Sequence, residues 1–271
     1  MNQWNGTNFE AKENLLRVIR KEADGLFALA ERPGVWEAPT ACTDWQVRDI
    51  IGHVVDTTEG YLKGFAAARG DGDPHEVVGL QVMQDKAGQG GISFRSVPQQ
   101  EMMQRARDDF EKMMGIVEGL GPDDWAGFMV THHYMGPLPA YFYAAGQLMD
   151  YAVHSWDIRQ GAGGFHALDG EAADLLVPFM FVLWQNTVKA TPDEPYTIGI
   201  RITSGANAGD YRMSVGPDGL AYEQGPVDDL PAVLEFDASS FVLRVFGRAN
   251  CGTLRGDQEL AERYLNLFFP I

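Results

Sequence analysis

QLMDYAVHSWDIR, residues 147–159, is the stretch on which the fold turns. Asp150 and His154 stand four residues apart, so in an α-helix they lie on one face, about 40° from each other. Helical phase extends that face to Tyr143, Gln147 and Asp157. The other faces carry Leu148, Met149, Tyr151, Ala152, Val153, Trp156 and Ile158. A helix that is apolar on most sides is buried, so this one carries a polar stripe into the interior. Buried carboxylates are costly unless paired or bound to a metal. Imidazole and carboxylate at i, i+4 can together grip a divalent cation, with zinc the usual choice. A His–Asp hydrogen bond that merely satisfies two buried groups accounts for the same residues.

Outward from this stretch, the chain alternates helical patterns with breaks. Leu15, Leu16, Ile19, Leu26 and Phe27 predict an amphipathic helix over 8–31, ended by Pro33 and Gly34. Thr43 and Gln46 have the spacing of a capping box, and the helix they would open runs to about Arg69. Its stripe is Val47, Ile50, Ile51, Val54, Val55, Thr58, Tyr61, Leu62 and Phe65. His53 lies about 60° off that stripe, where spacing alone predicts a partly exposed residue. Residues 70–97 hold six glycines and read as a long irregular connection, either a lid or a surface excursion. Met102, Met103, Ala106, Phe110, Met113, Met114 and Val117 mark a third helix. Residues 122–138, with His132 and His133, read as a loop.

After the stripe helix, residues 169–190 predict one more helix, bent at Pro178, and TPDEP at 191–195 reads as a linker. Short alternating runs follow (YTIGIRIT, DYRMSV, GLAYEQG, AVLEFDA), separated by turn residues, which signals antiparallel strands. Two helical stretches, SSFVLRVFG and DQELAERYLNLFF, come last. The expected fold is mainly α plus α+β: a helical bundle at 1–190 and a small α+β domain at 192–271.

Composition narrows the function classes. A net charge of −17 over 271 residues argues against nucleic acid and anionic membrane surfaces as partners. Cys42 and Cys251 form no CxxC, so neither a disulfide framework nor a thiolate zinc site is indicated. They fit a reducing cytosol, with buried packing as their default role. The N-terminus lacks the pattern of a signal peptide, and no run is apolar enough to span a membrane. A cytoplasmic protein, monomeric or a small homo-oligomer, is expected.

VWEAPTACTDWQVRDIIGHVVD (35–56) resembles the N-terminal signature of mycothiol-dependent maleylpyruvate isomerases, a family within the DinB-like helical bundles. YAVHSWDIR (151–159) resembles its second signature. VLEFDASSFVLRVFGRANCGTLRGDQELAERYL (233–265) is similar to the sterol-carrier-like domain often fused behind such bundles. The resemblance implies a DinB-like four-helix bundle followed by a sterol-carrier-like α+β domain. It also implies a metal held by His53, Asp150 and His154, with Asp150 standing where the family usually has glutamate. The family's C-terminal arginine, implicated in substrate handling, matches Arg248, which can equally be a helix C-terminal cation beside Gly247.

The activity so implied is thiol activation: a divalent metal, zinc for preference, and mycothiol as cosubstrate, acting on an electrophilic small molecule by isomerisation or S-transfer. Two imidazoles and one carboxylate leave open positions, as in catalytic rather than structural sites. Two alternatives remain at this level. One is a metal-hydroxide hydrolase. The other is a non-catalytic protein that binds a lipid or small molecule.

Overall fold

Apolar periodicity becomes four long helices in the first part of the chain. The computed structural model describes residues 7–161, 163 and 166–269, with side chains except at 81 and 84–88. The first six residues, which bear on the absence of a leader pattern, lie outside the described residues. The chain divides into two units, Gly6–Leu168 and Asp169–Ile271. In the first, the elements are α1 (Lys12–Ala30), α2 (Val47–Ala68), α3 (Met83–Ser93), α4 (Gln99–Glu118), α5 (Pro122–Gly127), β1 (Met129–His132), β2 (Gly136–Pro139) and α6 (Ala140–Gly161). α1 packs on α6 and α2 on α4, so these four form the bundle. Phe27, Phe110 and Tyr151 meet edge to face at its centre, with ring centroids 5.4–6.1 Å apart. Among the described residues no helix is long and apolar enough to cross a membrane.

Three local differences from the sequence pattern matter for the site. α2 starts at Val47, and its first-turn pair is Gln46 with Asp49 rather than Thr43 with Gln46: Asp49 Oδ2 accepts the Gln46 N–H at 2.8 Å. Residues 39–46 are instead drawn into a closed loop by a bridge between Pro39 and Gln46, with Asp44 at φ 67°. Buried Asp49 is also gripped by Arg95, through Nε at 2.8 Å and Nη2 at 2.7 Å.

Secondly, the 70–97 connection contains α3. Its glycines are tolerated because they let the helix lie directly on α2: a Cβ at Gly91 would stand 2.5 Å from the Asp49 carbonyl oxygen and 3.0 Å from the His53 nitrogen. Glycine serves where backbones approach this closely. Thirdly, 122–138 is not a plain loop. It folds as α5 and the hairpin β1–β2, in which His132 pairs with Gly136.

In the second unit, α7 (Gly170–Asn186) begins at Asp169, whose side chain accepts the Glu171 and Ala172 N–H groups, and it contains Pro178. The remaining elements are β3 (Tyr196–Ile202), β4 (Gly209–Gly216), β5 (Gly219–Gln224), β6 (Ala232–Phe236), α8 (Ala238–Val245), β7 (Thr253–Gly256) and α9 (Gln258–Leu265). The sheet order is β5-β4-β3-β6-β7. It is not wholly antiparallel, because β3 and β6 run parallel. The edge strand β7 went unseen in the sequence because Thr253–Gly256 is exposed at every position and so has no alternation. The fold is thus a helical N-terminal domain followed by α+β.

The division falls at 168/169 and not near 191. α7 packs on α8 and β5, so it belongs with the sheet. Phe181 shows why, with ring centroids 4.5 Å from Tyr211 and 4.8 Å from Phe241.

The glycine contact gives a paired test. Gly91→Ala is expected to cost about 1–3 kcal/mol, because the new methyl must push α3 off the backbone of α2. Gly25→Ala in α1, where nothing lies within 4 Å of the added Cβ, should instead be neutral or stabilising by up to about 1 kcal/mol. Urea midpoints of the two variants read the difference, and equal midpoints would refute the close-packing account.

Candidate metal centre

His53 comes from the middle of α2, and Asp150 and His154 from successive turns of α6. The bundle brings them together, although 97 residues of chain separate the first two: each offers one ligand atom within 4.8 Å of the others. His53 Nε2 stands 3.8 Å from Asp150 Oδ1. That is too long for a hydrogen bond, yet short enough for one cation to touch both at about 2.0–2.2 Å. Asp150 Oδ2 and His53 Nδ1 are buried without a hydrogen-bond partner among the described residues. Unsatisfied buried polar atoms are costly, and a bound cation would relieve Asp150 directly. In keeping with the spacing argument, His53 is partly exposed, at 14% of its side chain. The covering group is Trp45, whose ring centroid lies 5.3 Å from that of His53 and 5.9 Å from that of His154.

His154 is oriented from behind. Its Nδ1 donates to Asp157 Oδ2 at 2.9 Å, from the next turn of the same helix. With Nδ1 so engaged, Nε2 is the nitrogen left for His53 and Asp150. A carboxylate that fixes tautomer and ring angle behind a histidine is the usual companion of a metal ligand. Burial pushes the pKa of His154 down, against the opposing pull of Asp157, so the ring is neutral and able to donate a lone pair at pH 7. Further along the polar stripe, Gln147 donates to Thr58 Oγ1 at 3.2 Å and accepts from Tyr151 Oη at 3.2 Å. The stripe is therefore satisfied at Gln147 and Asp157, and left open at Asp150.

The family model for the mycothiol maleylpyruvate isomerase N-terminal domain matches residues 16–159. The chain belongs to that family. It is also similar to two solved structures titled as the mycothiol-dependent maleylpyruvate isomerase: one at 13% identity and TM-score 0.57, the other, a histidine-to-alanine variant, at 12% and 0.58. Each alignment covers 89% of this chain and 91% of the other. At such identities the likeness is one of fold. No curated protein matches the sequence.

Within the family frame, the remaining candidates separate. Arg248 lies in the second unit, just past α8. Its Nη1 donates to the Phe246 carbonyl at 3.1 Å, and its backbone N–H closes the helix on Leu243 at 2.9 Å, next to Gly247 at φ 67°. His133 donates from Nδ1 to the Glu76 carbonyl at 2.7 Å and holds the 70–82 segment. His132 is different. Its Nδ1 accepts the Tyr134 and Met135 N–H groups, both at 3.3 Å, and its ring sits among Tyr61, Tyr134, Phe142 and Tyr143. Burial, with His75 and His133 adding to it, brings its pKa down to about 4. Cys42 and Cys251 depart from the expected buried packing, being respectively partly exposed and exposed.

Two tests follow from this geometry. Asp157→Asn keeps the shape but turns an acceptor for the His154 N–H into an ambiguous amide. It should weaken zinc binding by about 10–100-fold with little change in circular dichroism; unchanged affinity would show that Asp157 does not orient the ring. The other test concerns His132. A folded pKa below the unfolded value of about 6.5 means that the unfolded chain takes the proton first. The stabilising contribution is then full above about pH 6.5 and is lost as pH falls through the folded value, by ~3 kcal/mol. His132→Asn should flatten that acid slope in urea unfolding, and an identical slope in both proteins would sink the assignment.

Proposed function

We propose that this chain is a metal-dependent enzyme that uses mycothiol either to isomerise an electrophilic small molecule or to form a thioether with it by S-transfer of the whole thiol. Membership of the family supports the thiol. The observation that carries the metal is the donor set itself: His53, Asp150 and His154 each offer a ligand atom within 4.8 Å of the others, and the buried Oδ2 of Asp150 has no hydrogen-bond partner among the described residues. The residues fit a divalent cation, and zinc is the ion proposed, on the strength of two imidazoles with one carboxylate. Aspartate in place of the family's usual glutamate is one methylene shorter, but the 3.8 Å between its Oδ1 and His53 Nε2 is still within reach of one ion.

A dication held by these three would supply the positive charge that draws a thiol below its free pKa of about 8.5. The chain supplies everything else. His53 and His154 would give ring lone pairs, Asp157 fixes the angle of one ring, and Trp45 lies against both rings. Arg248 is assigned, from the resemblance, to a carboxylate of the acceptor, which a planar guanidinium can hold through two hydrogen bonds.

The decisive experiment measures turnover of electrophilic acids with and without thiol and metal, across pH. Activity should need both, and the rate should stay nearly flat from about pH 7 to 9, because the nucleophile no longer tracks the free thiol pKa of about 8.5. His154→Ala should abolish stoichiometric metal binding, and Asp150→Glu should retain or improve it. A rate rising roughly tenfold per pH unit up to that pKa would mean that the thiol reacts from solution. A rate indifferent to thiol would point to a hydrolase.

A further inference from the structure

His154 belongs to two donor sets. Besides the one above, Cys42, His154 and Asp157 each offer a ligand atom within 4.8 Å of the other two. The Cys42 thiol donates to Asp157 Oδ2 at 3.1 Å, the same oxygen that accepts from His154 Nδ1. Two protons thus stand among a sulfur, an oxygen and a nitrogen. Asp157 is fully buried and His154 nearly so, while Cys42 is partly exposed, so the sulfur side is the one open to solvent.

The loop that presents Cys42 is built to hold it there. The Ala41 N–H donates to the Asp157 carbonyl at 2.9 Å, tying the loop to α6. Thr40 closes the loop on itself: its N–H and Oγ1 both donate to the Trp45 carbonyl, at 3.2 and 3.0 Å, and its Oγ1 accepts the Cys42 N–H at 3.2 Å. Gly161, on the last turn of α6, leaves no room for a Cβ against the Pro39 carbonyl. Asp44 takes a left-handed φ of 67°, a strained choice for a non-glycine residue that a well-determined loop can sustain.

We propose that Cys42, His154 and Asp157 form a second cation position, selective for thiophilic ions, which excludes an ion from the His53/Asp150/His154 position. Thiolate, imidazole and carboxylate together favour zinc or cadmium over magnesium or calcium. A dication bound there meets two negative charges, and the balance is simple. The thiol proton leaves to solvent, and the imidazole proton moves from Nδ1 to Nε2, freeing the Nδ1 lone pair. Nε2–H then faces His53 and Asp150 with no lone pair to give. One imidazole serves either set in turn, so a thiophilic ion arriving at the exposed sulfur takes a ligand from the first position. The exclusion rests on the function proposed above; the second position itself does not.

Cadmium titrated into the metal-free full chain tests both parts, read by the ultraviolet thiolate-to-cadmium charge-transfer band and by cadmium per chain. Wild type and Cys251→Ser should bind one cadmium with the band. His53→Ala should keep both ion and band, whereas Cys42→Ser should keep one ion and lose the band. On zinc-loaded protein, each cadmium bound should release one zinc. No band in wild type or in His53→Ala, while Cys42→Ser still binds, would overturn the second position and leave the first standing. Two ions per chain without zinc release would overturn the exclusion. A band in His53→Ala with no ion held by Cys42→Ser would support the second position and sink the first.

Discussion

The hydrogen bond from His154 Nδ1 to Asp157 Oδ2 is the interaction around which the centre is arranged. It lets a fully buried carboxylate exist inside a bundle, and by occupying one ring nitrogen it decides which nitrogen faces α2. Burying charge without such a partner costs several kcal/mol. α6 therefore carries its polar stripe because its groups are answered from within the helix and from its neighbours: Gln147 by Tyr151 of α6 and Thr58 of α2, Asp157 by His154 of α6 and Cys42 of the 39–46 loop. Asp150 is the exception, and it lies where His53 and His154 converge.

Packing supplies the second constraint. The α2 backbone around His53 is held by α3 and by Arg95, which follows α3 in the chain. Arg95 grips Asp49, four residues before His53, and Gly91 of α3 lies against the His53 backbone nitrogen. Segments remote in sequence thereby set the position of a donor whose own helix gives it no special standing. The 39–46 loop acts similarly on the other side, bringing Trp45 over both rings and Cys42 against Asp157. A loop tied down by its own backbone and by α6 can hold a side chain as firmly as a helix does.

The second unit follows different rules. Four of its strands, β3 to β6, follow from short alternating runs and turn residues, and its core is a cluster of rings from α7, α8, β4 and β6. Arg248 meets the C-terminal requirements of α8, capping through its backbone N–H while its guanidinium reaches the Phe246 carbonyl. Those contacts explain its place in the helix end and leave its chemical role to the family likeness.

Periodicity alone determined much of this protein. The long helices, the burial of α6, the shared face of Asp150, His154 and Asp157, and the change to strands after residue 195 are all local consequences of residue spacing. What spacing could not decide was whatever depends on a partner far along the chain. Nothing in the spacing of α2 marks His53, because the donors it meets, Asp150 and His154, come from α6. The glycines of 83–93 looked like breakers because the helix they form is supported by contact with α2, which propensity does not record. α7 looked like part of the bundle because its apolar faces do not name what covers them, and only the folded chain shows Phe181 among the rings of the sheet domain. Cys42 lies within the 35–56 signature, but no spacing pairs it with Asp157, 115 positions further on. Local free energies fix which segments are helix or strand. Which donors meet is fixed by the packing of those segments.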